Sequence, residues 1–242
     1  MHQLYVDLLP AQGQRLALTG AERHYLGRAL RARPGETVRL AAADGSAAMA
    51  TLEGFEGGAA LLRVGPADPD PGLDLRLCLE LCPPKGDALD QALEMAVQLG
   101  VARVRLLRSE RTLAAPERGA LKTEKLLLRL RESARQCLRA RIPALAASVS
   151  LAQAIVEDGD AVRLIMSERG GVPLPALPAQ AREVRVLVGP EGGFTAAELE
   201  AARAAAWTAV SLGPRPLKTA TAVAAALAGL GALCGPRTRS EP

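Results

Sequence analysis

A stretch rich in proline and glycine, Gly65–Gly72, separates two parts of this 242-residue chain that differ in hydrophobic pattern. It holds three prolines and two glycines in eight residues, a composition that interrupts both helices and strands. Because soluble domains commonly contain roughly 100–200 residues, a break here predicts two domains, at 1–70 and 73–242.

Five short strand-like runs precede this stretch: Leu4–Leu8, Arg15–Leu18, Glu36–Ala42, Ala47–Gly54 and Ala60–Val64. A helical pattern at Ala21–Arg33 interrupts them, and Asp44-Gly45 is typical of a hairpin turn. Several short strands joined by tight turns predict a small β-barrel. A unit of this kind suits binding better than chemistry.

Strands and helices alternate after the stretch. The strand-like runs are Leu73–Cys82, Val101–Leu107, Ala161–Ser167, Val184–Gly189 and Ala209–Gly213. The helical segments are Asp87–Leu99, Ala120–Arg139, Ala196–Ala206 and Thr219–Leu233. This alternation predicts an α/β domain built on a largely parallel sheet. Ligands of such sheets bind at the carboxyl ends of the strands, so we expect the site where strands lead into helices.

Composition excludes several classes of site. With only two histidines, His2 and His24, a multi-histidine metal site or a Ser-His-Asp triad lacks its residues. The four cysteines form no C-x-x-C pair, and Cys78 and Cys82 share parity in one strand, which predicts burial. The N-terminus lacks the features of a signal peptide, and the apolar stretch Ala222–Cys234 is too short for a membrane span. We therefore expect a cytoplasmic protein whose net charge of +4 permits an acidic partner.

The first candidate ligand loop, Gly189–Gly193, directly follows a β-branched strand. Its glycines allow the backbone to approach a ligand closely, and Thr195 with Glu198 matches a capping box that begins the next helix. The loop matches neither G-x-G-x-x-G nor a P-loop, so a dinucleotide or triphosphate site is disfavoured. A purely structural turn is the alternative interpretation.

The second candidate loop, Ser211–Thr219, also begins where a strand ends at a glycine. Two prolines hold its backbone extended, which suits a flat heterocycle bound through main-chain hydrogen bonds. The helix that follows consists largely of alanine and glycine, so its neighbours must approach closely. Core packing and a dimer interface would both explain this composition.

A third feature is a set of basic helix positions. They are Arg131, Arg135 and Arg139 on the helix of the second part, and His24, Arg28, Arg31 and Arg33 on the helix of the first. Like charges four residues apart on a helix repel, so an anionic partner such as a phosphate backbone would stabilise them. A solvated face partly balanced by Glu124 and Glu132 is the alternative.

The two candidate loops resemble the signature loops of the RsmE family, the 16S ribosomal RNA uracil-N3 methyltransferases of the SPOUT superfamily. The resemblance rests on LVGPEGGF at Leu187–Phe194 and SLGPRPLKT at Ser211–Thr219. Further matching segments are His24–Arg31 with Gly35, Lys85, Gln98–Val101, Ser109–Arg111, and Gln136–Arg139 leading to Pro143. The likeness runs nearly from end to end.

The resemblance implies a PUA-like β-barrel that binds RNA, followed by a SPOUT domain with a parallel sheet and a deep trefoil knot. It also implies a homodimer without metal that uses S-adenosylmethionine and acts on 16S ribosomal RNA or the assembled small subunit. The implied cofactor-binding residues are Met166, Leu187, Val188, Gly189, Glu191, Gly192, Gly193, Ser211, Leu212, Gly213, Pro216, Leu217 and Thr219. The implied RNA-binding residues are His24, Arg28, Arg31, Lys85, Arg131, Arg135 and Arg139.

For the chemistry, we expect Arg215 or Arg111 to stabilise the negative charge that uracil acquires when N3 loses its proton. Glu191 is the expected carboxylate near the cofactor, and a helix N-terminal acid is its alternative role.

The chain departs from the family pattern at three positions. Lys218 replaces an arginine, Ala220 replaces a glutamate of the second loop, and Arg135 replaces a glutamate of the basic helix. Loss of the carboxylate at Ala220 leaves open a reduced activity or a shifted substrate. Two alternatives therefore stand beside the uracil-N3 reading: a non-catalytic RNA-binding or ribosome-assembly protein, and a SPOUT methyltransferase with another RNA target.

Overall fold

The structure is a computed structural model that describes residues 1–70, 72–73, 75–113, 120–157, 159–168 and 170–234. These residues separate into two units. The first contains residues 1–70 together with Ala134–Ile142, and the second contains the described residues of 72–133 and 143–234. The first unit therefore includes a segment that lies far beyond the proline-rich stretch in sequence.

The first unit is a five-stranded sheet with one helical segment. Its strands are β1 (Gln3–Val6), β2 (Arg15–Leu18), β3 (Thr37–Ala42), β4 (Ala47–Glu56) and β5 (Ala59–Ala67). Helix α1 (Gly20–His24) continues into a π-helical turn at Tyr25–Ala29. The sheet order is β1-β3-β4-β5-β2, with only β1 and β3 parallel, and it curls as a half-barrel around leucine side chains. All five predicted strands are present.

Buried hydrogen bonds explain why Ala134–Ile142 belongs to the first unit. The fully buried Arg39 donates from Nη1 to the Leu138 carbonyl at 2.7 Å and from Nε to Asp68 Oδ2 at 2.6 Å. Gln3 Nε2 donates to the Arg139 carbonyl at 2.6 Å. A buried guanidinium needs such acceptors, so this segment completes the interior of the unit.

The second unit is an α/β structure. Its strands are β6 (Arg76–Leu81), β7 (Arg103–Arg108), β8 (Ala144–Ser150), β9 (Val162–Met166), β10 (Glu183–Val188) and β11 (Thr208–Val210). Its helices are α2 (Ala88–Gln98), α3 (Ala120–Gln136), α4 (Leu151–Ile155), α5 (Ala196–Ala204) and α6 (Thr219–Cys234), and the last residues of α3 belong to the first unit. Within the described ranges, none of these helices combines the length and hydropathy that crossing a membrane requires.

The second unit's sheet is entirely parallel, in the order β11-β9-β10-β6-β7-β8, which confirms the predicted α/β class. Strand β10 lies between β9 and β6, and its last residue, Val188, pairs with Leu81. On the other side Val210 pairs with Met166, so β9, β10, β11 and β6 end at one edge. The loops that follow these strands are thereby brought together.

Strand β8 and helix α4 are absent from the sequence prediction. Strand β8 forms the sheet edge, so all of its positions are exposed or half-exposed. Most of its residues are small, and it therefore lacks a strong hydrophobic pattern. Helix α4 spans five residues and begins with a capping box between Ser150 and Gln153. The S-x-x-Q pattern is typical of a helix start, and it is the local sequence feature that indicates this helix.

A buried carboxylate joins three neighbouring strands of the parallel sheet. Glu80 on β6 has no exposed surface and accepts hydrogen bonds from Arg105 on β7 at 2.6 and 3.0 Å. Arg185 on β10 donates to the same carboxylate at 3.2 Å, and its guanidinium lies 5.2 Å from the Trp207 ring centroid. Glu157 completes the cluster by accepting from Arg105 at 2.5 and 2.9 Å.

Glu80→Ala should destabilise the protein by about 3–5 kcal/mol, because it leaves two buried guanidinium groups without their shared carboxylate. Asp90→Asn, which breaks the exposed ion pair of Asp90 with Arg129, is the control and should cost no more than about 1 kcal/mol. Urea unfolding of both variants measures the difference. Equal midpoints would contradict a structural role for Glu80.

Glu157 should make part of the stability depend on pH. The hydrogen bond from Arg105 holds the pKa of Glu157 below its usual value of 4.5, so the ion pair contributes fully above that pH. The contribution is lost as pH falls through the lower, folded-state pKa. Glu157→Gln should therefore flatten the loss of unfolding free energy between about pH 5 and pH 3, measured by urea titration. Parallel profiles for the two proteins would show that this carboxylate is not the source.

Candidate functional site

A cavity of about 1110 Å³ opens at the carboxyl ends of β9, β10 and β11 in the second unit. Its walls come from the loops after these three strands and from the faces of α5 and α6 that adjoin them. Small-molecule sites usually occupy roughly 300–1,000 Å³, so the cavity has room for a cofactor-sized molecule and more. Its position agrees with the edge that a parallel sheet predicts for a ligand.

Most of the residues predicted from the two loops line this one cavity. They are Met166, Val188, Gly189, Gly192, Gly193, Leu212, Gly213, Leu217 and Thr219, together with Arg111 and Arg215. Four predicted residues are not among its lining: Leu187, Glu191, Ser211 and Pro216. Leu187 is fully buried in the sheet, and the Ser211 hydroxyl forms a hydrogen bond with the Gly213 carbonyl at 3.2 Å.

Glu191 connects two loops. Its Oε1 accepts a hydrogen bond from the Lys85 backbone N–H at 3.1 Å, which joins the loop after β10 to the loop after β6. The acid at the start of α5 is Glu198, whose carboxylate accepts from the N–H of the N-cap residue Thr195 at 2.9 Å. The predicted capping box is thus confirmed, and Glu191 lies outside the first turn of the helix.

Two glycines allow the cavity walls to approach each other. A Cβ on Gly189 would lie 2.9 Å from a ring carbon of Phe194, so the aromatic ring packs directly on the glycine backbone. A Cβ on Gly171 would lie 2.6 Å from the Ser211 nitrogen and the Val210 carbonyl carbon. The loops after β9 and β11 are therefore in backbone contact, which hydrogen bonds of Val172 reinforce.

Charged side chains of both signs line the cavity. The predicted cations are Arg111, whose Nη1 donates to the Gly192 carbonyl at 2.8 Å, and Arg215. Sequence reasoning missed Glu168 after β9, and Glu200 with Arg203 on α5. The i,i+3 spacing of Glu200 and Arg203 directly after a capping box was the one local indication that they share a helix face. Their charged atoms are 3.5 Å apart.

Arg135 is placed differently from the expected basic stripe. Its guanidinium is buried and donates to both carboxylate oxygens of Glu22, at 2.7 and 3.0 Å. It also lies 4.2 Å from the Tyr25 ring centroid. Because the end of α3 belongs to the first unit, this side chain serves the interior of that unit and not a phosphate-binding surface.

The other basic positions differ in exposure. His24, Arg28, Arg31 and Lys85 are exposed, whereas Arg131 and Arg139 are partly buried. Burial lowers the pKa of Arg139 below that of a free arginine. The first unit thus retains three exposed members of the predicted RNA-binding set, two on one short helical segment and Arg31 just after it.

Two of the cysteines that the structure describes, Cys78 and Cys82, lie in environments that disfavour reactivity. Cys78 and Cys82 are buried, as their strand parity predicts. Burial raises the pKa of Cys78 and raises that of Cys82 to about 11, so both thiols stay protonated at neutral pH. Within the described ranges, no group of three or more His, Cys, Asp or Glu residues could hold a metal ion.

Comparisons with known proteins show the family to which the chain belongs. The model of the RNA methyltransferase domain family matches residues 71–231. The chain is 33% identical over 239 residues to the ribosomal RNA small subunit methyltransferase E of Mycobacterium bovis, covering 95% of this chain and 90% of the relative. It is 31% identical over 227 residues to the protein of the same name from Synechocystis sp., covering 90% and 73%.

A solved structure is similar over both units. The ribosomal RNA small subunit methyltransferase E of Neisseria gonorrhoeae, solved bound to S-adenosyl methionine, superposes with a TM-score of 0.89. The two sequences are 28% identical, and the match covers 96% of this chain and 98% of that one.

Gly171→Ala should destabilise the protein by about 1–3 kcal/mol, because its new methyl group would meet the backbone of Val210 and Ser211. Gly192→Ala is the matched control, since its Cβ would lie at an ordinary 3.5 Å from Arg111, and we expect a change within about 0.5 kcal/mol. Urea unfolding compares the two variants. Equal stability would mean that the loops after β9 and β11 do not touch.

Proposed function

Because the chain belongs to the RNA methyltransferase family of the ribosomal RNA small subunit methyltransferases E, we propose that it transfers a methyl group from S-adenosylmethionine to N3 of a uridine in 16S ribosomal RNA. The observation that carries the proposal is the meeting of the loops after β10 and β11 in one cavity. These loops are 18 residues apart between Gly193 and Ser211, and both match the family's signature.

The cavity residues suit S-adenosylmethionine. Met166, Val188, Leu212 and Leu217 supply apolar surface for a flat adenine ring, and exposed loop backbone offers hydrogen-bond partners to its edge. Glycines at 189, 192 and 193 allow that backbone to approach the ligand without a side chain between them. We assign cofactor binding to these residues together with Gly213 and Thr219. Among the other predicted residues, Leu187 is buried in the sheet, Glu191 joins two loops, and Ser211 forms a hydrogen bond within its own loop.

S-adenosylmethionine supplies a methyl group on a positively charged sulfur, which leaves as a thioether in an in-line displacement. The chain's task is to hold uracil N3 collinear with that bond and at near-attack distance, which lowers the entropic part of the barrier. Loss of the N3 proton places negative charge on the uracil ring, and Arg215 stabilises it from the cavity wall. Arg111 is anchored on the Gly192 carbonyl and adds a second positive charge.

The departures at Ala220 and Lys218 lie outside the lining of the cavity. Ala220 is buried at the start of α6, and an alanine supplies no carboxylate there. The acids that line the cavity are instead Glu168 and Glu200. Lys218 is exposed and keeps the positive charge of the arginine that it replaces.

Further features follow from the family resemblance. We propose that the first unit is a PUA-like RNA-binding barrel, in which His24, Arg28 and Arg31 contact phosphates. In the second unit, Lys85 and Arg131 add basic contacts, and the loops around the cavity cross as a deep trefoil knot. We propose that the protein acts in the cytoplasm as a homodimer, and the exposed small residues of α6 suit a close subunit contact.

Mass spectrometry of ribosomal RNA from a strain that lacks this protein tests the reaction. The proposal requires one 3-methyluridine to disappear from 16S RNA and to return when the gene is restored. Loss of a different modification would assign another RNA target. An unchanged RNA, with no binding of S-adenosylmethionine by calorimetry, would favour a non-catalytic RNA-binding protein.

Arg215→Ala should lower kcat by about a hundredfold, because the variant no longer stabilises the negative charge that uracil acquires when N3 loses its proton. The Kd for S-adenosylmethionine should not change, since Arg215 acts on the uracil. Arg182→Ala, at the opposite end of β10, is the control and should retain full turnover. Single-turnover methylation and calorimetry provide the two measurements. Equal losses in turnover and cofactor affinity would contradict the assignment.

A further inference from the structure

Phe55 is the single exposed aromatic residue of the chain, all five of whose aromatic residues lie in the described ranges. Tyr5 and Trp207 are buried, whereas Tyr25 and Phe194 are partly buried. Phe55 keeps 40% of its surface accessible at the end of β4. Phe55 is therefore the one aromatic ring that this chain makes available at its surface.

The fold directs Phe55 toward the helical segment of the first unit. The pairing of β4 with β5 shifts register between Leu52 and Gly54, and such a bulge re-aims the side chains that follow it. The Phe55 ring then lies against Gly27, where a Cβ would be only 3.4 Å from a ring carbon. The guanidinium carbon of Arg23 lies 5.6 Å from the ring centroid.

The surface around the ring is basic. His24 and Arg28 are exposed on the same helical segment, Arg31 is exposed two residues after its end, and residues 23–33 include no acidic side chain. Glu22, which precedes them, is buried in its ion pair with Arg135. On the strand side, Glu53 is paired with Arg15 and Arg63, and Glu56 is exposed next to the ring.

Arg31 adds a backbone observation. It lies two residues after the end of the helical segment at Ala29, with φ at +52°, a left-handed conformation that glycine would adopt more easily. A long cationic side chain therefore occupies a position that local backbone energy would assign to glycine.

We propose that Phe55 and Arg23 form a stacking platform for one unpaired RNA base, while Arg28 and Arg31 contact the adjoining phosphates. A base offers a π face to the ring, and phosphates match the positive charge, whereas a lone ring without an apolar surround gives little area to a protein partner. This inference rests on the proposed function, because it takes RNA as the partner of the first unit.

Fluorescence anisotropy with a labelled single-stranded RNA of about ten nucleotides tests the platform. Phe55→Ala should weaken binding by about 5- to 100-fold, since a base loses its stacking partner. The slope of log K against log salt should stay unchanged, because no charge is removed. Phe55→Trp should bind as tightly as the wild type, and Phe55→Leu, which is apolar without a π face, should behave as Phe55→Ala.

Arg28→Ala provides the contrasting variant. It should weaken binding and also reduce the magnitude of the salt slope by about 0.7, the value for one phosphate contact on a single strand. A duplex of the same length, whose bases are already stacked, should not distinguish Phe55→Ala from the wild type. Thermal unfolding of each variant confirms that the fold is retained.

Two results would overturn the inference: equal affinity of Phe55→Ala and wild type for the single strand, or wild-type affinity of Phe55→Leu for it. Failure of the proposed function is recognised separately, as loss of S-adenosylmethionine binding or of methyl transfer by the wild-type protein. If the wild-type protein transfers methyl groups but Phe55→Ala binds the single strand as tightly as the wild type does, only the platform is rejected. A wild type that binds the single strand through Phe55 but transfers no methyl group rejects the reaction alone.

Discussion

The carboxylate of Glu80, shared by arginines from both neighbouring strands, is the interaction on which the second unit's sheet depends. A buried glutamate is costly unless its oxygens are fully paired, so β6 requires Arg105 on one side and Arg185 on the other at matching heights. That requirement fixes the alignment of β7, β6 and β10. Because a parallel sheet turns strand alignment into loop alignment, this buried charge contributes to the position at which β10 ends, and the loop after β10 forms part of the cavity.

The cavity also depends on the absence of side chains at two loop positions. The Phe194 ring packs against the backbone of Gly189, where a side chain would otherwise lie, and the backbone of Ser211 packs in the same way against Gly171. A side chain at Gly171 would separate the loop after β9 from the loop after β11, and a side chain at Gly189 would displace the Phe194 ring within the loop after β10. Small residues in these loops therefore allow close packing as well as close approach of a ligand. The two interpretations of the first candidate loop, a ligand-binding loop and a structural turn, are thus compatible.

Sequence patterns predicted the local features well and the distant ones poorly. The strands, the Thr195–Glu198 capping box and the two Gly/Pro loops are encoded within short windows, where propensity and turn chemistry act directly. The partner of Arg135 is Glu22, more than a hundred residues away, and no periodicity relates them. The same holds for Glu168 and Arg203, which share a cavity only because β9 and β10 are neighbours.

The family resemblance and the physical argument carry different parts of the conclusion. Resemblance names the methyl donor and the uridine, whereas the geometry shows which basic side chains and which aromatic ring the first unit exposes. Phosphate contacts raise affinity without reading sequence, so arginines alone leave the choice of nucleotide open. In the proposed function, the cavity admits a single flat ring, and the proposed platform at Phe55 takes one unpaired base, so both would operate where the RNA is locally unpaired.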